Sequence, residues 1–249
     1  MYSELVFDTT YRDKVTKLLA GTFKIAKSGK LVPKHPQGAR GIPWIFTNYN
    51  ARRKHCSHWN SVYCGEFGLI PVFCRTRCWK TVVKPRNVKE LFQLFEVFKM
   101  LDLPSKCGMD LRKYTYGAWA GFIYGDSLEQ GLEYYKKCRT AVNREMSNRV
   151  PVILKRGCTE MERIVPSDQW DKMPKDQLAF EHQLDDLFEF GELHFNTAGW
   201  LKREIKERWI ERAIEIGDPT ARETAEKHSG DPDIWDRLVV HSVTYHKEK

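Results

Sequence analysis

A chain of 249 residues is long enough to bury a core, as one large domain or two modest ones. Hydrophobic residues at 41% and eight tryptophans exclude a disordered polypeptide, and no apolar run reaches the roughly 18 residues that cross a bilayer. The net charge of +8 is unevenly placed: residues 1–90 hold 17 Lys+Arg against 5 Asp+Glu, and residues 91–249 hold 24 against 28. A basic half of this kind attracts polyanions, either nucleic acid or an acidic protein surface.

The first residues, MYSELVFDTTYRDK, lack the basic start, apolar core and cleavage site of a secretory signal. The expectation is a protein that is not secreted, cytoplasmic or otherwise intracellular, whose cysteines are thiols or metal ligands rather than disulfides. Val15, Leu18, Leu19 and Phe23 recur at helical spacing and predict a short amphipathic helix ending at Gly21. Residues 24–43 are rich in Lys, Gly and Pro and contain no acid, which reads as a long loop or basic arm.

The stretch 52–89 is the most distinctive. It holds Cys56, Cys64, Cys74 and Cys78, together with His55 and His58, among Arg52, Arg53, Lys54, Arg75, Arg77 and Lys80. Gly68–Phe73 and Thr81–Val83 read as two short strands of a hairpin with Cys74 and Cys78 at its tip. The spacing Cys56-x7-Cys64-x9-Cys74-x3-Cys78 is not a doubled C-x2-C, but four thiolates can still close a tetrahedral zinc site, and His58 is an alternative ligand. An iron–sulfur cluster is the other cofactor these thiols suit, and Cys107 and Cys158, each beside a glycine and a basic residue, are its further candidate ligands.

Asn87 and Glu90 have capping-box spacing ahead of a helix over 88–101 whose apolar residues cover more than one stripe. The aromatic and glycine pattern of Tyr114–Tyr124 reads as strand. A helix follows over 128–143 with Leu128, Leu132, Tyr135 and Val142 on one face, then a short strand at 151–154. Residues 180–190 read as a short acidic helix, and 201–216 as an amphipathic one, with Thr220 and Glu223 spaced as a further capping box. The expected fold class is α+β: residues 1–43 form an N-terminal helix and basic arm, 44–86 a Cys/His-rich metal-binding region with short strands, and 87–249 a mainly helical body.

Basic residues that hold phosphate, interleaved with aromatics that stack on bases, point to nucleic-acid binding. Arg52, Arg53, Lys54, Arg75, Arg77 and Lys80 are the candidate phosphate contacts, and Trp79 is the candidate stacking residue. The favoured reading is therefore a non-catalytic or accessory nucleic-acid-binding protein with structural zinc. The Walker, dinucleotide-binding, zinc-protease and nucleophile-elbow motifs are absent. The nearest catalytic string is KRGCTEME: Lys155, Glu160 and Glu162 suit a metal-dependent nuclease, and Cys158 suits a nucleophile. A subunit that docks into a larger protein complex is the remaining alternative.

Overall fold

The computed structural model describes residues 9–21, 23–34, 43–47, 60–172, 176–189, 197–230 and 234–235. The fold is α+β, built on a five-stranded antiparallel sheet. Its strands are β3 (Trp44–Phe46), β4 (Trp79–Val83), β5 (Ser105–Met109), β6 (Trp119–Gly125) and β7 (Val152–Arg156), in the order β3-β5-β6-β4-β7. Helix α3 (Val88–Leu101) joins β4 to β5, and α4 (Leu128–Glu145) joins β6 to β7. Residues 79–156 thus run β-α-β-β-α-β, the connectivity of the ferredoxin-like motif.

Both connecting helices cover the same face of the sheet. With a two-residue period, Thr81 and Val83 of β4 and Trp119, Gly121 and Ile123 of β6 turn toward them. There they bury Leu91, Leu94, Phe98, Cys138 and Val142, and α7 (Gly199–Glu215) adds Ile205, Trp209 and Ala213 to the same core. Gly121 allows the close approach: a Cβ there would come within 2.5 Å of Leu94 and 2.8 Å of Phe98.

A smaller cluster closes the N-terminal part. Helix α1 (Thr9–Ala20), the hairpin β1 (Phe23–Ile25) and β2 (Leu31–Pro33), a π-helical turn (Asn60–Glu66) and α6 (Gln177–Asp186) with the residues just after it contribute Leu18, Phe23, Leu31, Tyr63, Leu184 and Phe188. A third cluster holds Cys64, Ile70, Cys74, Met161 and Trp170. It draws on α2 (Val72–Thr76), on α5 (Thr159–Glu162) and on the chain after it.

The structure departs from the sequence reading at several elements. Residues 23–33 form a hairpin turned at Gly29 (φ 82°), because Phe23 and Leu31 both find apolar cover, and the remainder of the expected arm lies outside the described residues. The expected hairpin with thiols at its tip is replaced by α2, whose first amide, Val72 N, donates to the Glu181 carboxylate. β4 pairs instead with β6 and β7, so Cys74 sits on a helix and Cys78 just ahead of a strand. Residues 114–118 are turn, and the strand begins at Trp119. The buried face of α4 runs through Gly131, Cys138, Ala141 and Val142, leaving Leu128 and Leu132 exposed.

Helix α8 (Ala221–Ser229) starts without a cap from Thr220, whose hydroxyl donates to Asp218 Oδ1. Residues 44–86 and 87–249 share one sheet, since β3 and β4 pair with β5, β6 and β7. No helix among the described residues is long and apolar enough to cross a membrane.

Candidate functional site

The sheet face opposite α3 and α4 carries an organised set of aromatic and charged side chains. Residues directly across from one another share a face, so the register assembles two rows. One row is Phe46–Lys106–Phe122–Val82–Ile153, and the next is Tyr124–Lys80–Lys155. Trp44, two residues before Phe46, adds its ring beside Phe122, with centroids 5.5 Å apart.

Cations are placed against these rings. Lys106 Nζ lies 4.7 Å from the Trp44 centroid, 5.6 Å from Phe46 and 5.7 Å from Phe122. The Arg112 guanidinium lies 5.9 Å from Phe122, and Lys80 Nζ lies 5.4 Å from Tyr124. Trp44, Phe122 and Lys106 are half-buried, whereas Phe46 and Tyr124 are each only 8% exposed. The first three therefore offer contact area, and the other two support them from beside.

An ion network borders the rings. Asp110, buried, accepts from Arg112 Nε at 2.7 Å, Arg112 Nη2 at 2.8 Å and Lys84 Nζ at 3.1 Å. Burial alone would raise the Asp110 carboxyl, but the hydrogen bonds and charges of Arg112 and Lys84 win and bring it down to about 2. Arg112 also donates to Glu160 Oε1 at 2.7 Å, and this bond holds Glu160 below its ordinary value against the opposing effect of burial.

Lys155 Nζ donates to Thr159 Oγ1 at 2.7 Å, and burial together with the nearby Lys80 charge lowers its pKa. Lys80 Nζ lies 2.7 Å from Cys158 Sγ. Burial works against the Lys80 charge, but the neighbouring Cys158, Cys78 and Tyr124 outweigh it and hold the ammonium well above its ordinary value. The face thus gathers five cations, Lys80, Lys84, Lys106, Arg112 and Lys155, around two carboxylates, Asp110 and Glu160.

The residues singled out from sequence distribute unevenly around this face. Arg52, Arg53, Lys54, Cys56 and His58 lie outside the described residues. Arg75 is buried rather than a surface cation, with Nε donating to Ile70 O at 3.0 Å and Nη1 to Trp170 O at 3.2 Å. Arg77 is exposed, with its guanidinium 6.0 Å from the Phe73 ring. Trp79 turns to the helix-covered side, where its Cβ is the nearest neighbour of Gly131 on α4, so it is not placed to stack on a base. Lys80 is on the open face but buried beside Cys158.

Of the cysteines, Cys64, Cys74 and Cys158 come together in one apolar cluster, and Cys78 precedes Lys80 by two residues. Burial, and then the proximity of Cys158, pushes the Cys64 thiol up to about 12. Cys107, a further candidate cluster ligand, is on the other side of the sheet in the main core, apart from Cys74 and Cys158. Among the described residues, no group of three or more His, Cys, Asp or Glu side chains is placed to hold a metal ion. The catalytic alternatives Lys155, Cys158 and Glu160 do converge on the open face, while Glu162 turns to accept from Ser167 Oγ and N.

Lys84, Lys106, Asp110, Arg112, Phe122 and Tyr124 were not read from the sequence as one site. The signal was present in the two-residue alternation of Lys80, Val82 and Lys84 and of Phe122 and Tyr124, which places each set on one face of its strand. A concavity of about 260 Å³ lies between α3, α7 and α8 and is lined by Phe92, Lys206 and His228 among others. No family, no curated protein and no solved structure matches this chain.

Proposed function

We propose that this protein binds single-stranded nucleic acid across the sheet face opposite α3 and α4. The observation that carries the reading is the row in which Lys106 lies among Trp44, Phe46 and Phe122 on neighbouring strands. Unstacked bases bind to flat aromatic faces, and the phosphates between them need cations at nearby positions. Phe122 and Trp44 supply the stacking surface. Lys106, Arg112, Lys84 and Lys155 supply positive charge around it, and exposed Tyr116 with Tyr114 extends the aromatic surface along the β5–β6 loop.

A four-stranded sheet with helices on one face and base-stacking aromatics on the other is an established way to bind single strands. That general precedent supports the reading through geometry alone. The proposal does not require a metal, and it assigns the N-terminal excess of positive charge to steering rather than to specific contacts.

The test is fluorescence anisotropy of short labelled oligo-U and oligo-dT, with a duplex of equal length as comparison. Binding should favour the single strands and weaken with salt, at a log–log slope of roughly −2 to −3 if three to four phosphates are neutralised. Phe122→Ala should lower affinity by about 1–3 kcal/mol, the usual worth of one base–aromatic stack. Affinity unchanged by Phe122→Ala and by Lys106→Gln, in variants that keep the wild-type melting curve, would remove this face from the interaction. Absence of binding at low salt would reject the function.

A further inference from the structure

We propose that Lys80 and Cys158 form an oxidation-dependent covalent cross-link in which a single oxygen atom bridges Nζ and Sγ. The two atoms stand 2.7 Å apart. Ordinary N–H···O hydrogen bonds already centre near 2.9–3.0 Å, and sulfur is the larger acceptor, so this separation is too short for a relaxed N–H···S contact. It is also too long for a direct nitrogen–sulfur bond. It suits two single bonds that meet at one intervening oxygen.

Both partners are held in place. Lys80 is on the inner strand β4, is 8% exposed, and has its ammonium against the Tyr124 ring. Cys158 follows Gly157, whose left-handed turn (φ 62°) rests on Trp170 and whose amide donates to Cys78 O at 2.7 Å. A Cβ at Gly157 would come within 2.5 Å of the Trp170 ring, so this turn is fitted to glycine. Cys158 itself is half-buried rather than enclosed.

The chemistry balances with two peroxides. The first oxidises the Cys158 thiol to a sulfenic acid and leaves one water. The second accepts the hydrogen of the S–O–H group and one hydrogen of the Lys80 amine as the nitrogen–oxygen bond forms, leaving two more waters. Sulfur and nitrogen each give up two electrons, and each peroxide takes two. An ammonium–thiolate pair has the same proton count as the neutral amine and thiol, so the sum is unchanged if Lys80 starts out protonated. Two equivalents of a dithiol reverse the process, giving back the thiol, the amine and one water.

The proposal is independent of nucleic-acid binding and is tested on the full chain. Protein treated with hydrogen peroxide is measured by intact mass and then by peptide mapping, before and after excess dithiol. The expected product gains one oxygen less two hydrogens, returns to the starting mass with dithiol, and yields a linked pair of peptides holding Lys80 and Cys158. Cys158→Ser should abolish it, and in Lys80→Arg the thiol should proceed to sulfenic and sulfinic acids without a cross-link. The wild-type peptide map decides the matter even if either variant fails to fold. The proposal is overturned by linear acids of Cys158 alone, by a disulfide to another cysteine, by a lysine–cysteine link lacking the oxygen, or by an unmodified Cys158.

Discussion

Asp110 holds three cationic contacts while nearly inaccessible to water, so its ionised form is worth more in the folded chain than in the unfolded one. Its pKa falls from the ordinary 3.8 to about 2 on folding. A depressed carboxyl stabilises the fold above its unfolded value, and the contribution disappears as the pH drops through the folded value. It amounts to roughly 2 kcal/mol. Stability should therefore fall between about pH 4 and pH 2, and urea titrations of Asp110→Asn across that range should show a flatter acid limb. At neutral pH the same variant should lose about 2–3 kcal/mol, near the lower end for breaking a buried pair, because Lys84 and Arg112 keep partial access to solvent. A wild-type acid limb in Asp110→Asn would mean that other carboxylates govern acid unfolding. Arg75 illustrates what sequence could not reveal at this scale. An arginine among other basic residues reads as a surface cation, yet this one ties Ile70 O to Trp170 O inside the third cluster. Arg75→Ala should cost about 2–3 kcal/mol, the worth of two hydrogen bonds to a charged group less solvent compensation. It should leave the oligonucleotide affinity of the folded fraction within twofold of wild type.

The secondary elements most legible in the sequence were those with a long helical period and a local cap. For α3, the Asn87 side chain accepts from Glu90 N at 2.8 Å, and the Glu90 carboxylate accepts from Arg86 N at 2.7 Å. The start also has support that no local pattern could announce, since Asp218, 130 residues away, accepts from Val88 N at 2.6 Å. Asn87→Ala should therefore cost about 1 kcal/mol, as ordinary cap removals do, and Asp218→Ala a similar amount, both read by chemical denaturation. Equal stability of either variant to wild type would show that the helix start is solvated. The strands were harder to read. β4 is apolar on one side and alternates with lysines on the other, and its partners β6 and β7 come from far along the chain, so a nearby hairpin partner was the wrong inference. The β6 glycine that admits α3 is a second case, because only the packed structure explains it. Gly121→Ala should cost about 1–3 kcal/mol, since a methyl group there meets Leu94 and Phe98 in a full core. A loss below 0.5 kcal/mol would indicate that the helix can slide away from the sheet.

At the scale of the molecule, the charge asymmetry suggested a basic N-terminal unit set against an acidic body, and the sheet crosses that division. β3 and β4 lie before residue 87, while β5, β6 and β7 lie after it. β4 is an inner strand between β6 and β7, so without it those two strands lose their shared partner and present edges that no local segment can cover. The apolar residues of α3 and α4 would also lose Val83 from the face they cover, and Trp209 would lose the Pro43 carbonyl that its indole N–H donates to at 2.9 Å. Composition cannot reveal such a dependence, because the pairing of β4 with β6 and β7 links residues 38 to 77 positions apart and leaves no local signature. A fragment of residues 87–249 should therefore fail to fold alone, despite carrying most of the helices. Its helical circular dichroism should be weak and its urea transition broad and non-cooperative, whereas the full chain should show a cooperative transition. Co-expression with residues 1–86 should restore cooperative unfolding if strand β4 is the missing part, and a Val82→Pro change in the smaller fragment should prevent the rescue by removing one ladder amide from an inner strand. Cooperative unfolding of the 87–249 fragment by itself would establish two independent domains and would make the pairing of β4 with β6 and β7 a docking contact rather than the core of the fold.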